Sequence, residues 1–296
     1  MTHPTPGGGS GLAQGLRRGG WTNMAWPEDP YGSGQTLRTK PRLLTATVTC
    51  SANHAQQRVP LAHAVVYLRL HRTKAIDATE GLAFGFRAAA ALAPDETAEL
   101  VRLADLDLLR ARRLAQVLAG HCLELDLNVL QAATTTARTG APQGDTEFGR
   151  GLRALAAEWP GRGGRGRSET FYFDLGHDLA PEMTHGPGGH GSERAEHLWR
   201  HAKAAGLRLG GTSRAAEPQY TLDTIVDRAD AWEASQERLK EWLAACATEH
   251  ALVCALVAAR HLGLYAWDGE LDVAAALATN VGDCFPTQQF QETAPA

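Results

Sequence analysis

The stretch at 120–130, Gly-His-Cys-Leu-Glu-Leu-Asp-Leu-Asn-Val-Leu, decides how the rest of the chain is read. Leu123, Leu127, Leu130 and, further on, Ala133 recur at the spacing of one helix face, so the stretch opens a helix. Asp126 falls in its first turn, where the positive end of the helix dipole favours a carboxylate whatever else that carboxylate does. Immediately upstream, Leu114, Val117 and Leu118 read as the end of an earlier helical stretch, closed at Gly120.

Working outward, residues 43–50 (LLTATVTC) are rich in β-branched side chains and read as a strand. Residues 64–70 (AVVYLRL) and 81–87 (GLAFGFR) read as a second and a third strand. Three strands with no helix between them imply an antiparallel meander. Pro94-Asp95 then signals a helix start, followed by Leu100, Leu103, Leu106 and Leu109 at helical spacing. Phe148, Leu152, Leu155 and Trp159 mark a helix over 146–159, and Phe171-Tyr172-Phe173 a compact strand. Ser192 and Gly206 bracket another helix. From 221 to 262 nearly everything reads helical, and 251–259 is apolar all round, as in a helix buried on a sheet. The expected class is α/β: a mixed sheet of an antiparallel three-strand meander plus following strands, flanked by helices.

Residues 1–40 are rich in Gly and Pro without apolar periodicity and read as a disordered tail. The expected division is that tail, one α/β domain over 41–284, and a C-terminal tail over 285–296. With 44% hydrophobic residues in 296, a sizeable core is available. The 29 Lys and Arg against 33 Asp and Glu exclude a protein held on DNA or membrane by bulk charge, though not a local basic groove. Five widely spaced cysteines without a CxxC fit a reducing, cytoplasmic setting better than a disulfide framework. Arg17-Arg18 lacks the apolar run of a secretory signal behind it, and the longest unbroken apolar run, 251–259, is too short for a bilayer. No membrane association is expected.

The stretch at 120–130 resembles the second motif of the DEDD-type 3′-5′ exonucleases, a family of ribonuclease H-like fold. Gly120, His121, Asp126 and Leu130 match that motif in register, Leu125 and Val129 keep its apolar character, and Cys122 stands where the family has Asn. The order of elements from about residue 42 to 262 is similar too. The resemblance implies nucleic-acid processing, with a single-stranded 3′ end as substrate and Mg²⁺ or Mn²⁺ as cofactor. Asp126 would then be a metal ligand.

The remaining family positions depart from the pattern. The resemblance implies two metal ions clamped by four carboxylates, two of them from an Asp-x-Glu on the first strand, and no acidic residue stands between Asp29 and Asp77. Thr45, Thr47 and Thr49 offer hydroxyls instead. The third motif falls on EHALVCA (249–255), which puts Glu249 at the general base and Cys254 at the ligand Asp; a shift by one restores His250 but leaves Ala255. The site is expected to be incomplete and the protein a weak nuclease or none, with a non-catalytic nucleic-acid- or protein-binding module as the alternative. Asp174 and Asp178 are the candidate replacement ligands, Asp174 equally a turn cap. The catalytic candidates are thus Asp126, Glu249 and Asp174.

Two other groupings carry chemistry. Arg150, Arg153, Arg162, Arg165 and Arg167, interleaved with glycines, suit phosphates of single-stranded nucleic acid or, equally, a solubilising loop. Arg162, Arg165, Arg167 and His121 are the nucleic-acid-binding candidates. His197 and His201 share a helix face at i, i+4, with Glu193 a turn earlier, a spacing that suits zinc or nickel. With Leu198, Trp199 and Ala202 taken as the buried stripe, the pair is expected on the solvated side. A histidine-metal enzyme is the more distant alternative.

Overall fold

The computed structural model describes residues 16–22, 42–54, 57–78, 82–138, 149–159, 164–165, 170–179, 191–209 and 236–281. Its centre is a seven-stranded mixed sheet. β1 (Arg17–Thr22), β2 (Leu43–His54), β3 (Gln57–Arg69), β4 (Ile76–Asp77) and β5 (Phe84–Ala90) come first, and all but β4 belong to this sheet. α1 (Pro94–Leu114), β6 (Val117–Gly120), α2 (Leu123–Arg138) and α3 (Arg150–Glu158) follow, then β7 (Gly164–Arg165) and β8 (Phe171–Asp174). The spatial order is β1-β5-β3-β2-β6-β8-β7. β2, β3 and β5 form the antiparallel meander, whereas β6 runs parallel to β2 and β8 parallel to β6.

The remaining elements are α4 (Leu175–Asp178), α5 (Gly191–Ala204), β9 (Leu207–Arg208), α6 (Gln236–His261), β10 (Tyr265–Ala266), β11 (Leu271–Asp272) and α7 (Val273–Val281). β10 pairs with β4, and β11 with β9, as short two-stranded ribbons.

Alternation along β2 sorts the two faces of the sheet. Leu44, Ala46 and Val48 join Val66, Leu68, Phe84 and Phe86 in a core closed by α6. Nearly every residue of α6 from Leu239 to Ala259 is buried. It is the one described helix long and apolar enough to cross a membrane, and its apolar window lies wholly inside the fold, as befits a core helix. On the opposite face α1, α2 and α3 pack Val101, Leu108, Leu123, Leu127, Leu130, Leu152 and Leu155 against Leu118 and Tyr172. Gly151 permits α3 to cross α1 closely, because a Cβ there would collide with the Asp105 carbonyl oxygen. Asp105 in turn caps α3, accepting the N–H groups of Gly149 at 3.0 Å and Leu152 at 2.8 Å.

Two elements differ from the sequence reading. Val117–Gly120 is a fully buried strand rather than the end of a helix, since four apolar residues without a polar position carry no period. Arg17–Thr22, inside the stretch read as a disordered tail, is the edge strand and pairs with β5 from Arg17↔Ala90 to Thr22↔Gly85. Backbone pairing with β5 and the Arg18–Glu99 ion pair hold it, and no apolar pattern announces that. The third strand lies at Phe84–Ala90, three residues later than 81–87. The C-terminal tail expected at 285–296 lies outside the described residues.

Candidate functional site

In open α/β sheets, ligands bind beyond the carboxyl ends of the parallel strands. Here β6 and β8 end together, with Gly120 opposite Asp174 in the register, while β2 beside them runs on to His54. At this edge the chain leaves β6 through His121 and Cys122 and enters α2. Cys122 has φ of 55°, a left-handed conformation that is strained for Cys and easier for Asn.

Asp174 holds that kink. Its Oδ1 accepts the Cys122 N–H at 2.8 Å and the Gly176 N–H at 2.9 Å, and its Oδ2 accepts the Leu123 N–H at 3.0 Å. Burial pushes the Asp174 carboxyl above its ordinary range, and the three N–H donors and the nearby His177 charge pull it back. Asp178 accepts the Asp174 N–H at 2.8 Å and so closes the same turn. These two carboxylates organise backbone, the capping role the sequence left open for Asp174.

Asp126 is 2% exposed, and its Oδ2 accepts the Thr49 N–H at 2.8 Å. The first turn of α2 is thereby fastened to β2 just before the irregularity between Cys50 and Ser51. The Thr49 hydroxyl lies 3.1 Å from His63 Nδ1 across the β2–β3 register. Burial lowers the His63 pKa to about 4, so this imidazole is neutral at neutral pH. Thr47, one pleat along the same face, is 1% exposed, and among the described residues its hydroxyl has no hydrogen-bond partner. A neutral hydroxyl-lined strand therefore stands beside Asp126.

Glu249 comes from the other side of the sheet, on α6, and is 2% exposed. Burial raises the Cys246 thiol well above its ordinary value, and the charges of Cys50 and Glu249 add to the effect. Glu249 and Cys50, the neighbour of Thr49, thus both bear on Cys246. Among the described residues, however, no three His, Cys, Asp or Glu side chains form a group that could hold a metal ion.

A two-metal Mg²⁺ or Mn²⁺ centre does not fit this donor set. Hard cations of this kind require several converging oxygen ligands. Asp174 binds three backbone N–H groups, one Asp126 oxygen binds a fourth, and Thr47 and Thr49 supply only neutral hydroxyls.

His121, expected to touch nucleic acid, is 2% exposed. Its Nε2 lies 2.9 Å from His197 Nδ1, with the two rings stacked at 5.2 Å and 7° between planes. His197 Nε2 lies 3.0 Å from His201 Nε2. His197 is 4% exposed, covered by His121 from the end of β6, and His201 is partly buried, so the expected solvated placement fails for His197. Only the fold brings these rings together, because 76 residues separate His121 from His197.

Of the arginines, Arg150 and Arg153 are exposed on α3, and Arg165 lies in β7, whose backbone pairs with β8. Arg162 and Arg167 lie outside the described residues. No protein-family model matches this chain, no curated protein is significantly similar to it, and no solved structure matches it.

Proposed function

We propose that this protein is exonuclease-like, with a ribonuclease H-like architecture and an incomplete two-metal site, and that it turns over nucleic acid weakly or not at all. The five inner strands support the architecture: a three-strand meander, then two parallel strands reached through helices, in the order β5-β3-β2-β6-β8. The observation that carries the functional reading is the bond from the Thr49 N–H to Asp126 Oδ2. On the first strand, where that family would present two carboxylates, this chain presents threonines, and the surviving Asp fastens backbone.

The role left to such a protein is binding, with a single-stranded nucleic acid as partner. Exposed Arg150 and Arg153, with Arg162, Arg165 and Arg167 next in sequence, are the residues that would hold its phosphates. A purely protein-binding module is the alternative, and it is distinguished by whether oligonucleotide binds at all. Mg²⁺ or Mn²⁺ belongs to the reading only if turnover is found.

The test is release of mononucleotides from 3′-labelled single-stranded DNA and RNA with Mg²⁺ or Mn²⁺, comparing the native chain with Asp126→Asn. Asn keeps an oxygen that can accept the Thr49 N–H, so the variant retains the fold. Turnover at background in both proteins is expected. Robust metal-dependent release abolished by Asp126→Asn overturns the reading, because two-metal activation would then have assembled around Asp126.

A further inference from the structure

We propose that His197 and His201 are the protein's ligands for a divalent transition-metal ion, at a site suited to Zn²⁺, Co²⁺ or Ni²⁺ rather than Mg²⁺. The two residues stand one turn apart on α5, with their Nε2 atoms facing each other at 3.0 Å. Imidazole nitrogen is a borderline-soft donor that suits these ions and not hard Mg²⁺.

Metal–nitrogen distances of about 2.1 Å across a 3.0 Å separation give a ligand–metal–ligand angle of about 90°. Opening the pair by about 0.4 Å would make it tetrahedral, a side-chain adjustment rather than a backbone one.

The proton arrangement favours this use. Two neutral imidazoles facing each other through Nε2 share one proton between them. A metal ion takes that place if each ring carries its proton on Nδ1 instead, with no net change in ring protonation. For His197 that proton has an acceptor in place, His121 Nε2 at 2.9 Å. The usual outer partner that fixes the tautomer and orientation of a ligating histidine is a carboxylate, carbonyl or water accepting its other N–H, and here the His121 nitrogen stands in that place.

Two protein ligands leave the remaining coordination positions to water or to an incoming anion. The site is independent of the exonuclease-like reading, since Asp126 and Asp174 take no part in it.

The full chain, stripped with chelator, is titrated with Zn²⁺ by calorimetry and with Co²⁺ by visible absorption, with millimolar Mg²⁺ as competitor. About one equivalent of Zn²⁺ is expected, undisturbed by Mg²⁺. His201→Ala should weaken binding at least tenfold, and His121→Gln, which leaves both ligands in place, by about tenfold. His201 is only partly buried, so circular dichroism should show a folded variant, and His201→Gln is a second, bulkier one. No Zn²⁺ uptake by the native chain, or uptake unaltered in either folded His201 variant, overturns the proposal.

Discussion

Asp174→Ala is expected to lower stability by about 4 kcal/mol, enough to unfold a marginal domain. The carboxylate is 1% exposed and accepts three N–H groups, from Cys122, Leu123 and Gly176. Each buried N–H left without an acceptor forfeits about 1–3 kcal/mol. The strained Cys122 backbone would also lose the bonds that hold it. Asp174→Asn keeps an acceptor oxygen and should lose about half as much. Urea denaturation of the three proteins, followed by circular dichroism, measures the series. An Asp174→Ala loss under about 1 kcal/mol would mean that the turn between β6 and α2 holds itself.

Glu96→Ala should lower stability by a similar amount, about 3–5 kcal/mol, through a different mechanism. Lys240, on α6, is 3% exposed and pairs with Glu96, at the start of α1. Glu96 Oε2 also accepts the N–H groups of Leu92 at 2.9 Å and Ala93 at 3.2 Å. Removing Glu96 takes away the main partner of a buried ammonium and uncaps α1. Replacing both residues, as Glu96→Gln with Lys240→Met, should lose much less than Glu96→Ala, because no buried charge then remains.

The pair also contributes to the acid limit of the fold, as do the depressed Glu99 and Asp272 carboxyls. Burial pushes Glu96 up, but the Lys240 bond, the Leu92 and Ala93 donors and the Lys240 charge outweigh it and hold the carboxyl below its ordinary 4.5. A depressed carboxyl contributes stability above its unfolded value, and that stability is lost as pH falls through the folded one. Asp174 has the opposite sign. Its raised carboxyl adds stability in acid that declines as pH rises through the folded value. Acid unfolding below about pH 4.5 should therefore weaken in Glu96→Gln and persist in Asp174→Asn, and melting temperature against pH reads both.

Most of the elements were legible in the sequence because they carry a period or a composition. β2 shows itself by its β-branched residues, α2 by Leu123, Leu127 and Leu130, and α6 by an apolar surface that only a buried helix needs. β6 was not, because Val117–Gly120 is apolar throughout and too short to separate strand from helix. β1 was not either, since its place depends on the free edge of β5.

The candidate site was legible at its isolated residues and not at its contacts. Asp126 and the missing first-strand carboxylates could be read from position, and the capping reading of Asp174 follows from Asp chemistry at turns. The Thr49–His63 contact depends on the register between β2 and β3, and the stacking of His121 on His197 on where β6 ends relative to α5. Neither has a local signature.

Asp126 is the residue on which the account turns: it fastens α2 to β2, and the proposed reading gives it no catalytic metal to hold. The most direct measurement is Mn²⁺ uptake by electron paramagnetic resonance, comparing the native chain with Asp126→Asn at millimolar metal. Both proteins keep the same histidines, so any difference between them isolates Asp126. The account predicts equal uptake in the two; Mn²⁺ bound by the native chain and lost in a folded Asp126→Asn would contradict it.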